Sequence, residues 1–172
     1  MNLKSVIREV PDFPKKGILF YDITTLLQDP AAFKQCIEQL YSLVKGMKID
    51  KIAAIESRGY IFGAPLALKL NCGLVVIRKP GKLPYKKLSE SYDLEYGSST
   101  IEMHEDAIKK GEKVLLIDDL LATGGTMKAA INLVEKVGGV VTKILFVIEL
   151  DFLNGIQKLE GYDAESLLHY DK

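Results

Sequence analysis

Apolar and polar positions along the 172-residue chain fall into two recurring patterns. Short strand-like stretches occupy Lys51–Ile55, residues 74–77 and residues 114–117, the last an unbroken apolar run, with a longer one at Val140–Leu150 and a short one at 166–169. Their length and their Gly- and Asp-marked ends predict buried parallel strands, because a strand covered on both faces has no polar side to show. Between them lie stretches with helical spacing. Phe33, Ile37, Leu40, Tyr41 and Val44 mark one such face, opened by Asp29-Pro30, an N-cap followed by a proline at the first helical position. Leu66, Leu68 and Leu70 belong to a second helical run. Ala130, Ile131, Val134 and Val137 define a third over residues 127–137, stopped by Gly138-Gly139. Leu3, Val6, Ile7 and Val10 predict an amphipathic helix at the start, and residues 152–159 a short one near the end. Strands alternating with helices predict an α/β fold with a central, mostly parallel sheet and helices on both faces.

Two stretches break the alternation. Pro11 and Pro14 interrupt helicity before Ile18-Leu19-Phe20-Tyr21-Asp22-Ile23, an aromatic segment that fits an edge strand covering the core and equally a small hood over an aromatic ligand. Residues 80–97 are long for a connection within a domain, as in a functional lid or a disordered loop. Residues 91–96 and 100–104 alternate around Gly97-Ser98-Ser99 and predict a hairpin, with Glu102 on its second arm as a surface residue.

Composition narrows the function. Lys plus Arg equals Asp plus Glu at 23 each, so no bulk positive field draws the chain to nucleic acid or an anionic membrane. No apolar run approaches a membrane span, which points to a cytoplasmic protein. Cys36 and Cys72 lie far apart within helical patterns and fit free thiols; with His104 and His169 they show no metal-ligand spacing.

Residues 114–126, VLLIDDLLATGGT, carry the most specific chemistry. Asp118 and Asp119 follow a buried strand, where open α/β sheets bind ligands. Ala122, Thr123, Gly124, Gly125 and Thr126 then lead into a helix, whose N-terminus and inward backbone N–H groups suit a phosphate monoester. Carboxylates accept from vicinal hydroxyls, so acids plus cradle describe a sugar phosphate. The same residues also fit a solvated loop with an N-capped helix. Arg58, in Glu56-Ser57-Arg58-Gly59 after another strand, is a candidate anion contact. RKPGKLPYKK (78–87) places five cations in ten residues beyond a third strand end.

At VLLIDDLLATGGT the chain resembles the type I phosphoribosyltransferases. With DFPKKGILFYDIT, ESRGYIFG, RKPGKLP and SYDLEYG in the same order, the resemblance covers nearly the whole chain and points to the adenine phosphoribosyltransferases. It implies one phosphoribosyltransferase domain over 1–172, with a hood of about residues 1–30 and a lid of about 80–97. The implied reaction joins adenine to 5-phosphoribosyl 1-pyrophosphate (PRPP), giving AMP and pyrophosphate, with Mg2+ held mainly by substrate, in a homodimer that binds neither nucleic acid nor membrane. By resemblance, Asp118 and Asp119 hold the ribose, residues 122–126 the 5′-phosphate, and Arg58, Arg78, Lys79 and Lys82 the pyrophosphate, Arg78 from across the dimer. Leu19, Phe20, Tyr21, Arg58 and Leu120 contact adenine, and Glu95 is the catalytic residue. One departure stands out: many members carry a basic residue where this chain has Tyr21. A phosphoribosyltransferase for another purine, or a PRPP-sensing regulator on the same fold, remains as an alternative. The regulator typically carries a DNA-binding domain, for which this chain has neither room nor basic surface.

Overall fold

The computed structural model describes residues 1–172 except Glu95, so the catalytic assignment to that residue lies outside the described residues. Five parallel strands form the central sheet: β3 (Lys51–Ile55), β4 (Gly73–Ile77), β7 (Lys113–Leu121), β8 (Val140–Leu150) and β9 (Ala164–Tyr170), in the order β4-β3-β7-β8-β9. The expected α/β architecture is thus present, with β7 at its centre.

Side-chain alternation along the sheet divides the core into two. Ile52, Ala54, Leu115 and Ile117 meet Leu26 of α1 (Thr24–Gln28), Leu40 of α2 (Pro30–Ser42) and Phe62 and Leu66 of α3 (Arg58–Leu70). Ala53, Ile55, Leu116 and Phe146 meet Ile131 and Val134 of α4 (Gly125–Lys136) on the other face. Both faces are covered, which is why these strands read as continuous apolar runs. Each Leu, Ile, Val or Phe among them contributes about 1.5–3 kcal/mol when fully buried. Asp29 caps α2 as its sequence promises, accepting from the N–H groups of Ala31 and Ala32 at 2.9 and 3.1 Å.

The N-terminus departs from expectation. Only a 3-10 turn forms at Leu3–Val6, and Arg8–Pro11 is a strand, β1, paired antiparallel with β2 (Leu19–Asp22). Helical spacing at Leu3 and Ile7 survives as burial of both, but pairing with β2 overrides it for the residues that follow. The two strands form a separate ribbon, so residues 18–23 do not edge the main sheet. β4 is likewise an edge strand rather than a fully buried one: Val75 and Ile77 are buried, while Leu74 and Val76 are exposed. Cys72 lies in the turn before β4, outside any helix, and the segment 152–159 forms two 3-10 turns (Asp151–Leu153 and Gly155–Leu159) in place of one helix.

Part of the expected lid loop, residues 87–93, is regular structure. β5 (Lys87–Asp93) and β6 (Ser98–His104) pair along their whole length. Glu90 accepts from Asn132 at 3.2 Å and pairs with Lys136, so the hairpin is tied to α4. Glu102 is not a surface residue. It is 7% exposed and accepts from Ser89 Oγ at 3.2 Å and the Gly81 N–H at 3.3 Å. The loop that follows β4 closes over it.

Candidate active site

The carboxyl ends of β3, β4 and β7 open onto one cleft. β7 does not stop at Ile117; it stays paired with β8 through Leu121, so Asp118 and Asp119 sit on a rigid strand. At its side, Gly59 brings the first turn of α3 against the acids. A Cβ there would stand 3.0 Å from the Ile117 carbonyl oxygen and 3.2 Å from Asp118 Oδ1. The positive end of the α3 dipole is thereby laid beside a carboxylate.

Asp119 is buried and takes Arg58 Nε at 2.5 Å, an ion pair between residues on two different strand ends. Burial, and then the neighbouring Asp119 charge, push the Asp118 carboxyl well above the usual carboxylate range. The acid pair therefore resists carrying two negative charges and favours arriving hydroxyl donors or cations.

Three cavities meet at Arg58 and Asp119, which line all of them. The first, about 370 Å³, is polar and is bordered by Glu56, Ser57, Lys79 and, from the hairpin, Tyr92 and Ile101. The second, about 660 Å³, is largely apolar and runs beneath the β1–β2 ribbon, with Phe13, Leu19 and Phe20 above and Leu120 and Leu150 below. Phe13 meets Phe20 edge to face at 5.1 Å. The third, about 200 Å³, is walled by residues 120–124, Thr126 and Phe146.

The third cavity depends on backbone packing. Gly124 has φ +83°, and Gly155 from the turn after β8 lies against it. A Cβ on Gly155 would meet the Ala122 carbonyl oxygen at 2.2 Å. No side chain is small enough for that approach, so glycine is required. Gly125, the first residue of α4, abuts Tyr92 of β5. An anion seated here faces a turn and a helix N-terminus.

The chain's similarity to known proteins follows the same layout. The family model for the phosphoribosyl transferase domain matches residues 22–161. An adenine phosphoribosyltransferase of Kosmotoga olearia is 58% identical over 170 residues, 99% of this chain and 100% of that protein. The chain belongs to the adenine phosphoribosyltransferase family. The crystal structure of the adenine phosphoribosyltransferase of Thermoanaerobacter pseudethanolicus superposes with a TM-score of 0.95 at 54% identity, covering 98% of each chain. The Saccharomyces cerevisiae member of the family, crystallised with an imino-altritol bisphosphate and adenine, matches with a TM-score of 0.91 at 40% identity over 96% of each chain.

Against the family pattern, most expected residues converge. Arg58, Lys79, Asp118, Asp119, Leu120, Ala122, Thr123, Gly124 and Thr126 line the cleft, as do Leu19, Phe20 and Tyr21 under the ribbon. Arg78 and Lys82 do not line these cavities. Within its own chain Arg78 donates to both Glu56 carboxylate oxygens at 3.3 Å, and Nη1 reaches the Lys82 carbonyl at 3.4 Å. Tyr21, the departure from the family, is buried; its ring stacks on Tyr170 at 3.8 Å and its hydroxyl donates to the Lys172 carbonyl. Its side chain thus supports the ribbon from behind, and the substitution removes a cation without opening the pocket.

Sequence reading missed Tyr92, Leu150, Gly155 and Glu56. The last organises the loop after β4, accepting the Lys79 N–H at 2.7 Å and the Arg78 guanidinium. These bonds, the Lys79 N–H first, hold its carboxyl below the usual range. Such a group stabilises the fold above its unfolded pKa near 4.5, and the contribution disappears as pH falls through the lowered value. Glu56→Gln is therefore expected to lower the melting temperature by about 2–4 °C at pH 7. The two proteins should melt alike in acid below the folded pKa. Parallel melting curves across the whole pH range would contradict this role.

Proposed function

We infer that the chain catalyses the condensation of adenine with PRPP, releasing pyrophosphate and forming AMP, a purine-salvage reaction. One observation carries the reading: an apolar slot, a polar cationic cavity and a backbone cradle meet at a single Arg58–Asp119 pair. A flat base, a pyrophosphate and a 5′-phosphate joined through one ribose have this arrangement of parts.

In this assignment adenine lies between Leu19-Phe20 and Leu120, with backbone groups near Leu19 and Tyr21 reading its edge. Asp118 and Asp119 accept from the ribose hydroxyls, displacing Arg58 toward the pyrophosphate in the cavity that Lys79 also lines. Residues 122–126 take the 5′-phosphate. Displacement at C1 builds positive charge on the sugar and negative charge on the leaving group, and pre-positioned cations answer the latter. Lys82 adds to the field of this loop from outside the cavity. Magnesium suits the cleft as an ion held mainly by substrate oxygens, its charge favoured beside the Asp118–Asp119 pair without either being its direct ligand. When bound it neutralises charge on the departing pyrophosphate.

The domain organisation follows the same reading: residues 1–172 form one catalytic unit, the ribbon within residues 1–30 is its hood, and the tip within 80–97 its lid. No described helix is long and apolar enough to cross a membrane, and a cytoplasmic setting fits salvage of soluble substrates. Incubating purified protein with PRPP, magnesium and a panel of bases tests the activity. AMP as the only nucleotide is the expected product, whereas IMP, GMP or no nucleotide at all would overturn it.

Two predictions arise here. Asp118→Asn and Asp119→Asn should each lower kcat/KM for PRPP about ten- to hundredfold with the fold intact, since a lost charged hydrogen bond typically costs about 1.5–3 kcal/mol. Wild-type kinetics in both variants would remove the ribose assignment. The second concerns assembly. Ile61 and Leu68 stand seven residues apart on α3, and the exposed Leu74 of β4 touches the same helix beside Gly63. This apolar edge, with Arg78 at its end, supports a homodimer in which Arg78 serves the partner's cleft. Sedimentation should give twice the 19.1 kDa chain mass, and Leu68→Lys should shift it toward one. A fully active monomer would rule out the shared site.

A further inference from the structure

The carboxyl ends of β8 and β9 bring together three side chains that the transfer reaction does not use. Glu149 and His169 are register partners on the two strands, and Asp151 opens the 3-10 turn after β8. One ligand atom from each of the three lies within 4.8 Å of the others. His169 Nδ1 stands 2.9 Å from Asp151 Oδ1 and 3.8 Å from Glu149 Oε2. Glu149 is buried, and Ser166 Oγ donates to its Oε2 at 2.7 Å, so one ligand is already oriented.

Two carboxylates converge on a single ring nitrogen, and such an arrangement calls for a cation between them. A proton on the imidazole satisfies it, and so does a metal ion in the proton's place. We propose that Glu149, Asp151 and His169 form a site for one divalent ion of the zinc class. Ligands bound at zinc distances are at most about 4.2 Å apart. The observed spread closes with a small turn of Asp151 and His169, both of which are partly open to solvent. Two carboxylates balance the ion's charge, and an imidazole ligand favours zinc over magnesium.

The position gives the ion a role. Leu150, between Glu149 and Asp151, lines the apolar cavity, and Tyr170, next to His169, stacks on Tyr21 of the hood strand. A bound ion ties together the two strand ends that support the base pocket from below. It is a structural clamp, separate from magnesium in the cleft.

Isothermal titration of Zn2+ into the full chain in metal-free buffer at one fixed pH tests this. The expected result is one saturable site in the wild type, with a melting temperature raised by several degrees. Both effects should disappear in His169→Gln and in Asp151→Asn and persist in Cys72→Ser, with circular dichroism confirming that each variant is folded. Magnesium titration should give no heat assignable to this site, and Asp118→Asn should bind zinc as wild type does. Absence of saturable zinc binding, or equal binding by His169→Gln and wild type, would leave only a hydrogen-bonded ion pair and overturn the proposal. Loss in Cys72→Ser alone would place the ion elsewhere and also overturn it.

Discussion

Glu95→Gln is expected to lower kcat by about a hundredfold or more while changing the KM for PRPP little. Bond formation at N9 of adenine leaves the base with a proton to lose, and a carboxylate brought over the site accepts or shares it where water is scarce. Glu95 belongs to Asp93-Leu94-Glu95-Tyr96-Gly97, between β5 and β6, and its catalytic role is proposed from the resemblance of SYDLEYG to the family's motif. The hairpin stem supports the assignment: Tyr92, three residues earlier, lines the polar cavity beside Asp118 and Asp119. If residues 80–97 are the lid proposed for them, PRPP and adenine together should slow proteolysis within that segment. Glu102 is no silent control, because its buried carboxylate holds Ser89 and Gly81. The exposed Glu105 is the suitable comparison. Equal kcat values for Glu95→Gln and Glu105→Gln would withdraw the catalytic role.

Gly155→Ala should reduce kcat/KM for PRPP by about a hundredfold, although residue 155 touches no part of the proposed substrate. The added methyl would stand 2.2 Å from the Ala122 carbonyl oxygen and 3.1 Å from the Gly124 nitrogen. Both are backbone atoms, so relief requires the cradle itself to move. Misplacement of a reacting group by about 1 Å can cost a hundredfold in rate. The turn after β8 lies at the periphery, and both core clusters are untouched, so melting should change far less than activity. The exposed Gln157→Ala on the same turn is the comparison. Wild-type kinetics in Gly155→Ala would show that the cradle tolerates displacement and that its backbone is not what holds the 5′-phosphate.

What the sequence determined by itself is what short-range pattern encodes. The buried strands were legible because both of their faces are covered, leaving unbroken apolar runs such as residues 114–117. Asp29-Pro30 announced its helix because capping is a local bond between a side chain and the next N–H groups. The acids and the Gly-rich turn of 118–126 were legible for the same reason, as one contiguous stretch of strand, loop and helix start. Tertiary structure decided the relations across the chain. The ion pair of Arg58 with Asp119 spans 61 residues and exists because β3 and β7 are neighbours in the sheet. The N-terminal segment became β1 because β2 offered it a ladder, which local helical spacing cannot foresee. Glu102 was buried by a loop from another strand end, and Gly155 became essential to the cradle only through close backbone approach. Each of these depends on which elements lie side by side, information that no window of neighbouring residues contains.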